Sequence, residues 1–231
     1  SAFTDHSNYF DSSSSANPAD ALNDKTKMTT ESLAKWNKYV SDMDTFNQEN
    51  AGSIIALAGF EMTWSGGPGH INTFNSDGLI SRNNKDLNNK SADAGMKLYY
   101  ETLIQNTDPL ANLSQFNHPG TTFGTFSDFA YWSPAYDNKM VAVEVGNGEG
   151  AIGSGGYFPS YAEYTKALDK GWHVAPTNNQ DNHKGKWGNG NTARTVIITD
   201  NLSEEGLLNG LKNRSVYATE DKNLTIDYKV N

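Results

Sequence analysis

Hydrophobic positions fall into two alternating kinds of stretch. Short apolar runs bounded by Gly, Pro, Asn or Asp have strand length at residues 2–4, 53–60, 113–117, 140–145, 172–175, 194–199 and 215–219. Longer stretches, apolar at every third or fourth position, predict helices over 30–46, 92–105, 161–170 and 204–212. In the last of these Leu207, Leu208 and Leu211 supply the apolar face, and Ser203 before Glu204 and Glu205 predicts an N-cap with acids in the first turn. Strands alternating with helices predict an α/β architecture with a mainly parallel sheet, open or closed into a barrel, as a single domain over residues 1–231. The serine-rich residues 11–15 and the polar tract 75–89 are predicted as surface loops. The glycine-rich segment 146–156 follows a strand but lacks the Lys-Ser/Thr of a phosphate loop, which predicts a loop at the rim of the sheet.

Composition narrows the function. Hydrophobic residues make up 36% of the 231, enough for a core despite a mean hydropathy of −0.67. The net charge of −9 repels phosphate backbones, so nucleic acid is not an expected partner, and phosphate handling would call for metal ions. The absence of Cys excludes disulfides, thiolate metal sites and thiol nucleophiles. No apolar run approaches the roughly 18 residues of a membrane-spanning helix, so no membrane span is predicted. Charged residues are only 19% while Asn and Ser abound, a composition that favours an extracellular or cell-surface setting.

Candidate chemistry lies with the five histidines. His6 follows the first strand run beside Asp5; His70 follows Glu61 in a loop leading from the second; His118 follows the third and precedes Pro119-Gly120; His183 follows the fifth, two residues after Asp181. In a parallel α/β sheet the C-terminal strand ends converge at one mouth. Ligands drawn from four strand ends therefore describe a site, and in an extended segment Asp181 and His183 would face one cavity together. Glu61 ends an apolar run and needs a partner if buried. Imidazole plus carboxylate without sulfur suits zinc, manganese or iron. His173 lies inside its strand run and is expected to serve packing or the surface.

The segments also occur in a recognisable order: Ala2-Phe-Thr-Asp-His6, Ala58-Gly-Phe-Glu-Met-Thr63, Gly69-His70-Ile-Asn-Thr-Phe-Asn75, Asn117-His-Pro-Gly120, Val143-Glu-Val-Gly-Asn147, Gly171-Trp-His-Val-Ala-Pro-Thr177 and Asp181-Asn-His183. Together they resemble the PHP (polymerase and histidinol phosphatase) family, with the closest likeness to its carbaryl-hydrolase-like metallohydrolase branch. Arg194-Thr-Val-Ile197 and the segment 207–219 extend the likeness over nearly the whole chain. The resemblance implies a distorted TIM-like (β/α)7 barrel with two to three divalent metals, zinc, manganese or iron, at its mouth. It implies that Glu61 bridges two metals, that His70 and His118 complete one, that Asp181 binds on the other side of Glu61, and that His6 and His183 hold a third. Asp5 would orient a ligand or a bound water, and Glu144 and Asn147 match a family position at the mouth. The family opens on a strand carrying His-x-His, and no such pair occurs in this sequence. The sequence is therefore expected to lack the first βα unit, either as a piece of a longer protein or as a member without those ligands.

The expected function is a metal-dependent phosphoesterase that activates water on a small-molecule ester, with Arg194 or Lys184 available to hold an anionic group. Two other readings compete. The site could hydrolyse carboxylic or carbamic esters, with Trp64, Phe123, Phe126, Tyr131 and Trp132 near the mouth, although core and loop packing is the better expectation for those aromatics. Alternatively, the chain is a non-catalytic extracellular module with a degenerate metal site.

Overall fold

The computed structural model describes residues 1–12 and 16–226. The chain forms β1 (Ala2–Phe3), α1 (Thr30–Glu49), β2 (Leu57–Thr63), β3 (His70–Phe74), α2 (Ala94–Leu103), β4 (Leu113–Asn117), the short turns α3 (Phe126–Phe129) and α4 (Pro134–Asp137), β5 (Met140–Asn147), β6 (Phe158–Pro159), α5 (Tyr161–Asp169), β7 (Ala175–Asn179), β8 (Arg194–Ile197), α6 (Glu204–Lys212) and β9 (Val216–Thr219). The helix predicted over 204–212 forms with those bounds, capped by Ser203, whose hydroxyl accepts the Gly206 N–H. Of the serine-rich stretch, residues 13–15 lie outside the described residues.

Seven strands make one mixed, curled half-barrel sheet in which β1, β2, β3, β4 and β5 pair in order and β5 also pairs with β6 and β7. β1 is parallel to β2, and β4, β5 and β7 are mutually parallel neighbours, whereas β3 is antiparallel to both β2 and β4. Reversing twice around β3 leaves β1, β2, β4, β5 and β7 all running the same way. The expectation of a mainly parallel sheet thus holds for these five strands and fails at β3. The six residues between Thr63 and His70 are too few for a parallel crossover, so the chain turns back as a hairpin. Gly69 permits that turn, since a Cβ there would meet the Phe126 ring at 2.3 Å.

Other boundaries shift. β2 begins later than its apolar run and continues through Glu61 to Thr63, β5 extends to Asn147, and the strand expected at 172–175 forms at Ala175–Asn179. The polar tract 75–89 is more than a surface loop, because Leu79, Ile80 and Leu87 are buried within it.

The two faces of the sheet differ. Phe60, Met62, Ile71, Phe116 and Val143 pack in one core with Trp36 of α1 and Met96, Tyr99 and Leu103 of α2. The opposite face is apolar at one end, where Phe74, Leu113 and Ala142 pack with Leu208 and Leu211 of α6. Toward the C-terminal ends of the parallel strands it becomes polar, through Glu61, Gln115, Asn117, Glu144, Thr177 and Asn179. β8 and β9 form a separate antiparallel pair beside β7, linked by the Asn178 N–H to Thr195 Oγ1 at 2.9 Å. The loop after β7 reaches across to β1, where Trp187 meets Phe3 edge-on at 5.7 Å between ring centroids.

Candidate metal centre

Glu61, His70 and His118 gather at the mouth, with one ligand atom from each within 4.8 Å of the others. Glu61 sits on β2 with its side chain only 8% exposed. His70 is directly beside it because β3 runs backwards: the register pairs Thr63 with His70 and His70 with Asn117, so the first residue of an antiparallel strand stands at the C-terminal edge of its neighbours. His118 leaves the end of β4 at φ 28°, a left-handed conformation that redirects its side chain over the strand end. Sequence reading put His70 in a loop, yet its position at the mouth survives because the hairpin returns it there.

The two oxygens of Glu61 face different partners. Oε1 lies 3.4 Å from His70 Nδ1 and 3.6 Å from His118 Nε2, and it accepts a hydrogen bond from Asn117 Nδ2 at 3.0 Å. Oε2 contacts His6 Nδ1 and accepts the Thr63 hydroxyl at 2.8 Å. Burial pushes the Glu61 carboxyl up, but hydrogen bonds with His118, His6 and His70 outweigh it and hold the group well below the usual carboxylate range. Burial likewise pushes the His118 imidazole down, and its bond to Glu61 with the nearby charges of Glu144, Glu61 and Asp181 reverses that shift upward. Among the described residues His118 Nδ1 is buried without a hydrogen-bond partner. An ionised carboxylate facing two imidazole nitrogens at 3.4 and 3.6 Å is a donor set that fits a divalent metal.

The remaining candidates lie around this group. Asp181 and His183 line a cleft of about 500 Å³ together with Phe123, Asn147, Lys184 and Lys186. The extended geometry expected for Asp181-Asn-His183 is not adopted: Asp181 has φ 45°, and His183 Nδ1 turns back to the Asp181 carbonyl at 2.7 Å. The His183 side chain is 67% exposed, and its ring centroid is 6.5 Å from that of His6. Asp5 is exposed, and its carbonyl accepts the Glu61 N–H at 2.9 Å. Glu144 and Asn147 are buried on β5 and bonded to each other at 2.9 Å. Arg194 gives its guanidinium to the carbonyls of Gly188, Asn191 and Ala193, organising the loop below the cleft. His173 is at the surface, paired with Asp137 at 2.9 Å.

Thr63, Gln115, Asn117 and Asn179 join the site without having been singled out in the sequence. A signal was present in Thr63, which stands two residues after Glu61, because residues two apart on a strand share a face. Phe123 covers the Glu61–His70–His118 group, its ring centroid 4.5 Å from that of His118 and 5.6 Å from that of His70.

The chain is similar in structure to a two-domain protein from Bacteroides vulgatus ATCC 8482 that contains a predicted PHP-like metal-dependent phosphoesterase, with 17% sequence identity and a TM-score of 0.52. The likeness is one of fold. The likeness covers 95% of this chain and 55% of that one, so the chain spans little more than half the length of its structural neighbour. No family model and no curated protein matches the chain.

Proposed function

We propose that this chain is a PHP-family metal-dependent hydrolase acting on phosphate esters, with water as nucleophile. The reading is carried by the Glu61–His70–His118 group at the mouth of a PHP-like fold. A divalent cation held there would supply Lewis acidity, drawing the pKa of water toward about 7 and neutralising charge on the ester oxygens. The protein's own residues do the positioning. Thr63 and Asn117 each hold one oxygen of Glu61, so the carboxylate is oriented before any cation arrives. Its division between His6 on one side and His70 with His118 on the other supports a bridging role between two cations. His183, its ring 6.5 Å from that of His6, and Asp181 on the same cleft would supply the further ligands for a set of two to three zinc, manganese or iron ions. The same reading makes residues 1–231 one domain built on a distorted (β/α)7 barrel.

The formal charges of the cleft balance, Glu149 and Asp181 against Lys184 and Lys186, so attraction for an anionic ester would come from bound cations and from a lysine left unpaired. Lys184 is paired with Glu149 at 2.7 Å, whereas Lys186 makes no ion pair among the described residues and its charge is available to the ester. The aromatics do not favour a carboxylic or carbamic ester. Trp64 and Phe126 are buried in the core, Tyr131 bonds Asp93, and Trp132 packs on Gly171, which leaves only Phe123 of that set at the cleft.

Metal analysis of the purified protein, with turnover of p-nitrophenyl phosphate, its diester and p-nitrophenyl acetate under added manganese or zinc, tests the proposal. Bound metal with phosphate-ester turnover is expected. Turnover of the acetate alone would replace the phosphoesterase by the carboxylic-ester reading. Metal without turnover would identify a binding module, and absence of metal would end the metal-centre reading.

A further inference from the structure

Glu144 is the second carboxylate buried at the mouth, 2% exposed, and its hydrogen-bond donors are all uncharged. Burying a carboxylate without a cation is costly, so its partners explain its presence. Oε2 accepts the main-chain N–H of His118 at 2.6 Å and Asn147 Nδ2 at 2.9 Å, while Oε1 accepts Asn179 Nδ2 at 2.8 Å and Gln115 Nε2 at 3.4 Å. The first of these stands out. His118 has φ 28° and precedes Pro119, two restrictions that disfavour its conformation and call for a compensating contact. A short bond from the N–H to a carboxyl oxygen supplies it.

His118 also lacks the side-chain support that metal-binding histidines usually have, since its Nδ1 has no partner among the described residues. Its ring is therefore oriented by packing against Phe123 and His70, by its approach to Glu61 and by its own backbone. We infer that Glu144 is a positioning residue, gripping the His118 amide and so aiming the imidazole at Glu61 without being part of the Glu61–His70–His118 group. Ser160 acts on the same turn from the far side, its hydroxyl donating to the Pro119 carbonyl at 2.8 Å.

The inference rests on the metal-centre reading above, and a double-mutant cycle on Glu144 and His118 separates the two. In the wild-type background Glu144→Ala should raise the Kd for manganese or zinc by about 10- to 100-fold, the loss typical of removing a ligand's support. In a His118→Ala background it should change Kd by less than about twofold, because both changes remove one imidazole. Glu144→Gln keeps an acceptor for the amide and should recover part of the affinity. In the metal-free protein, hydrogen exchange of the His118 amide should accelerate at least about tenfold in Glu144→Ala and less in Glu144→Gln. Equal losses of affinity in both backgrounds, or unchanged exchange at His118 in a folded variant, would overturn the inference. If Glu144→Ala does not fold, Glu144→Gln with His118 exchange at the wild-type rate would overturn it instead. If wild type binds no metal, the metal-centre reading fails, while the exchange rates still decide whether Glu144 holds the turn.

Discussion

Glu61 and His70 stand on paired strands and His118 directly after one, whereas Asp181 and His183 stand on the loop beyond β7. The strand-borne group is nearly closed to solvent: the side chains of Glu61, His70 and His118 are 8%, 12% and 3% exposed. Asp181 and His183 are 41% and 67% exposed and bond to their own loop. Register explains the difference. The pairings Thr63–His70 and His70–Asn117 set the first group through main-chain bonds made in any case, while nothing of that kind fixes the second. On the metal-centre proposal, the first group would bind a cation alone and the second would be ordered afterwards.

The largest test of this contrast removes the shared carboxylate. Glu61→Gln should weaken metal binding more than about 100-fold, beyond the loss from removing a mere supporting bond, as read by competition with a chelator; a smaller loss would show that the imidazoles bind without it.

Next comes the effect of pH on the metal-free protein. The lowered Glu61 carboxyl contributes stability that is fully present above the ordinary Glu pKa of about 4.3 and lost as pH falls through its own lower value. The raised His118 imidazole contributes stability fully present below about 6.5 and lost as pH rises through its own higher value. The group's contribution should therefore be greatest between those limits. Urea midpoints measured across about pH 3 to 8 should show both limbs in wild type and shallower ones in Glu61→Gln, where Glu144 and Asp181 still act on His118. Matching profiles in the two proteins would mean that the pairings add nothing to stability.

Smaller effects belong to the open side. Lys186→Ala should raise KM for a phosphate monoester about two- to fivefold with kcat retained, the size expected of one exposed charge. Lys184→Ala should do less, because Glu149 already neutralises that lysine. Smallest of all, His183→Ala should change the affinity of the first metal by less than about threefold in isothermal titration. A loss matching that of Glu61→Gln would erase the distinction between the two halves.

Much of this site was legible in the residues themselves. Glu61 ending an apolar run, and His6 and His118 directly after strand runs, all reached the expected mouth. His70 was recognised as a candidate although its strand was not, since the alternation in His70-Ile-Asn-Thr-Phe74 is only five residues long and follows a glycine-rich turn. Glu144 was singled out without a role, because its main contact is to a backbone amide 26 positions away and leaves no trace in side-chain spacing. Arg194 offered a cation, but three carbonyls of its own loop take its donors.

Local order along the chain thus prescribed the alternation of strand and helix, the chelating residue types and the exclusion of thiol chemistry, because period and side-chain chemistry are properties of neighbouring residues. Which oxygen of Glu61 meets which imidazole, why an antiparallel strand brings His70 to the mouth, and what the buried Glu144 carboxylate holds were settled by folding. Those depend on the register between strands far apart in the chain, and register is fixed by main-chain bonds formed when the sheet assembles.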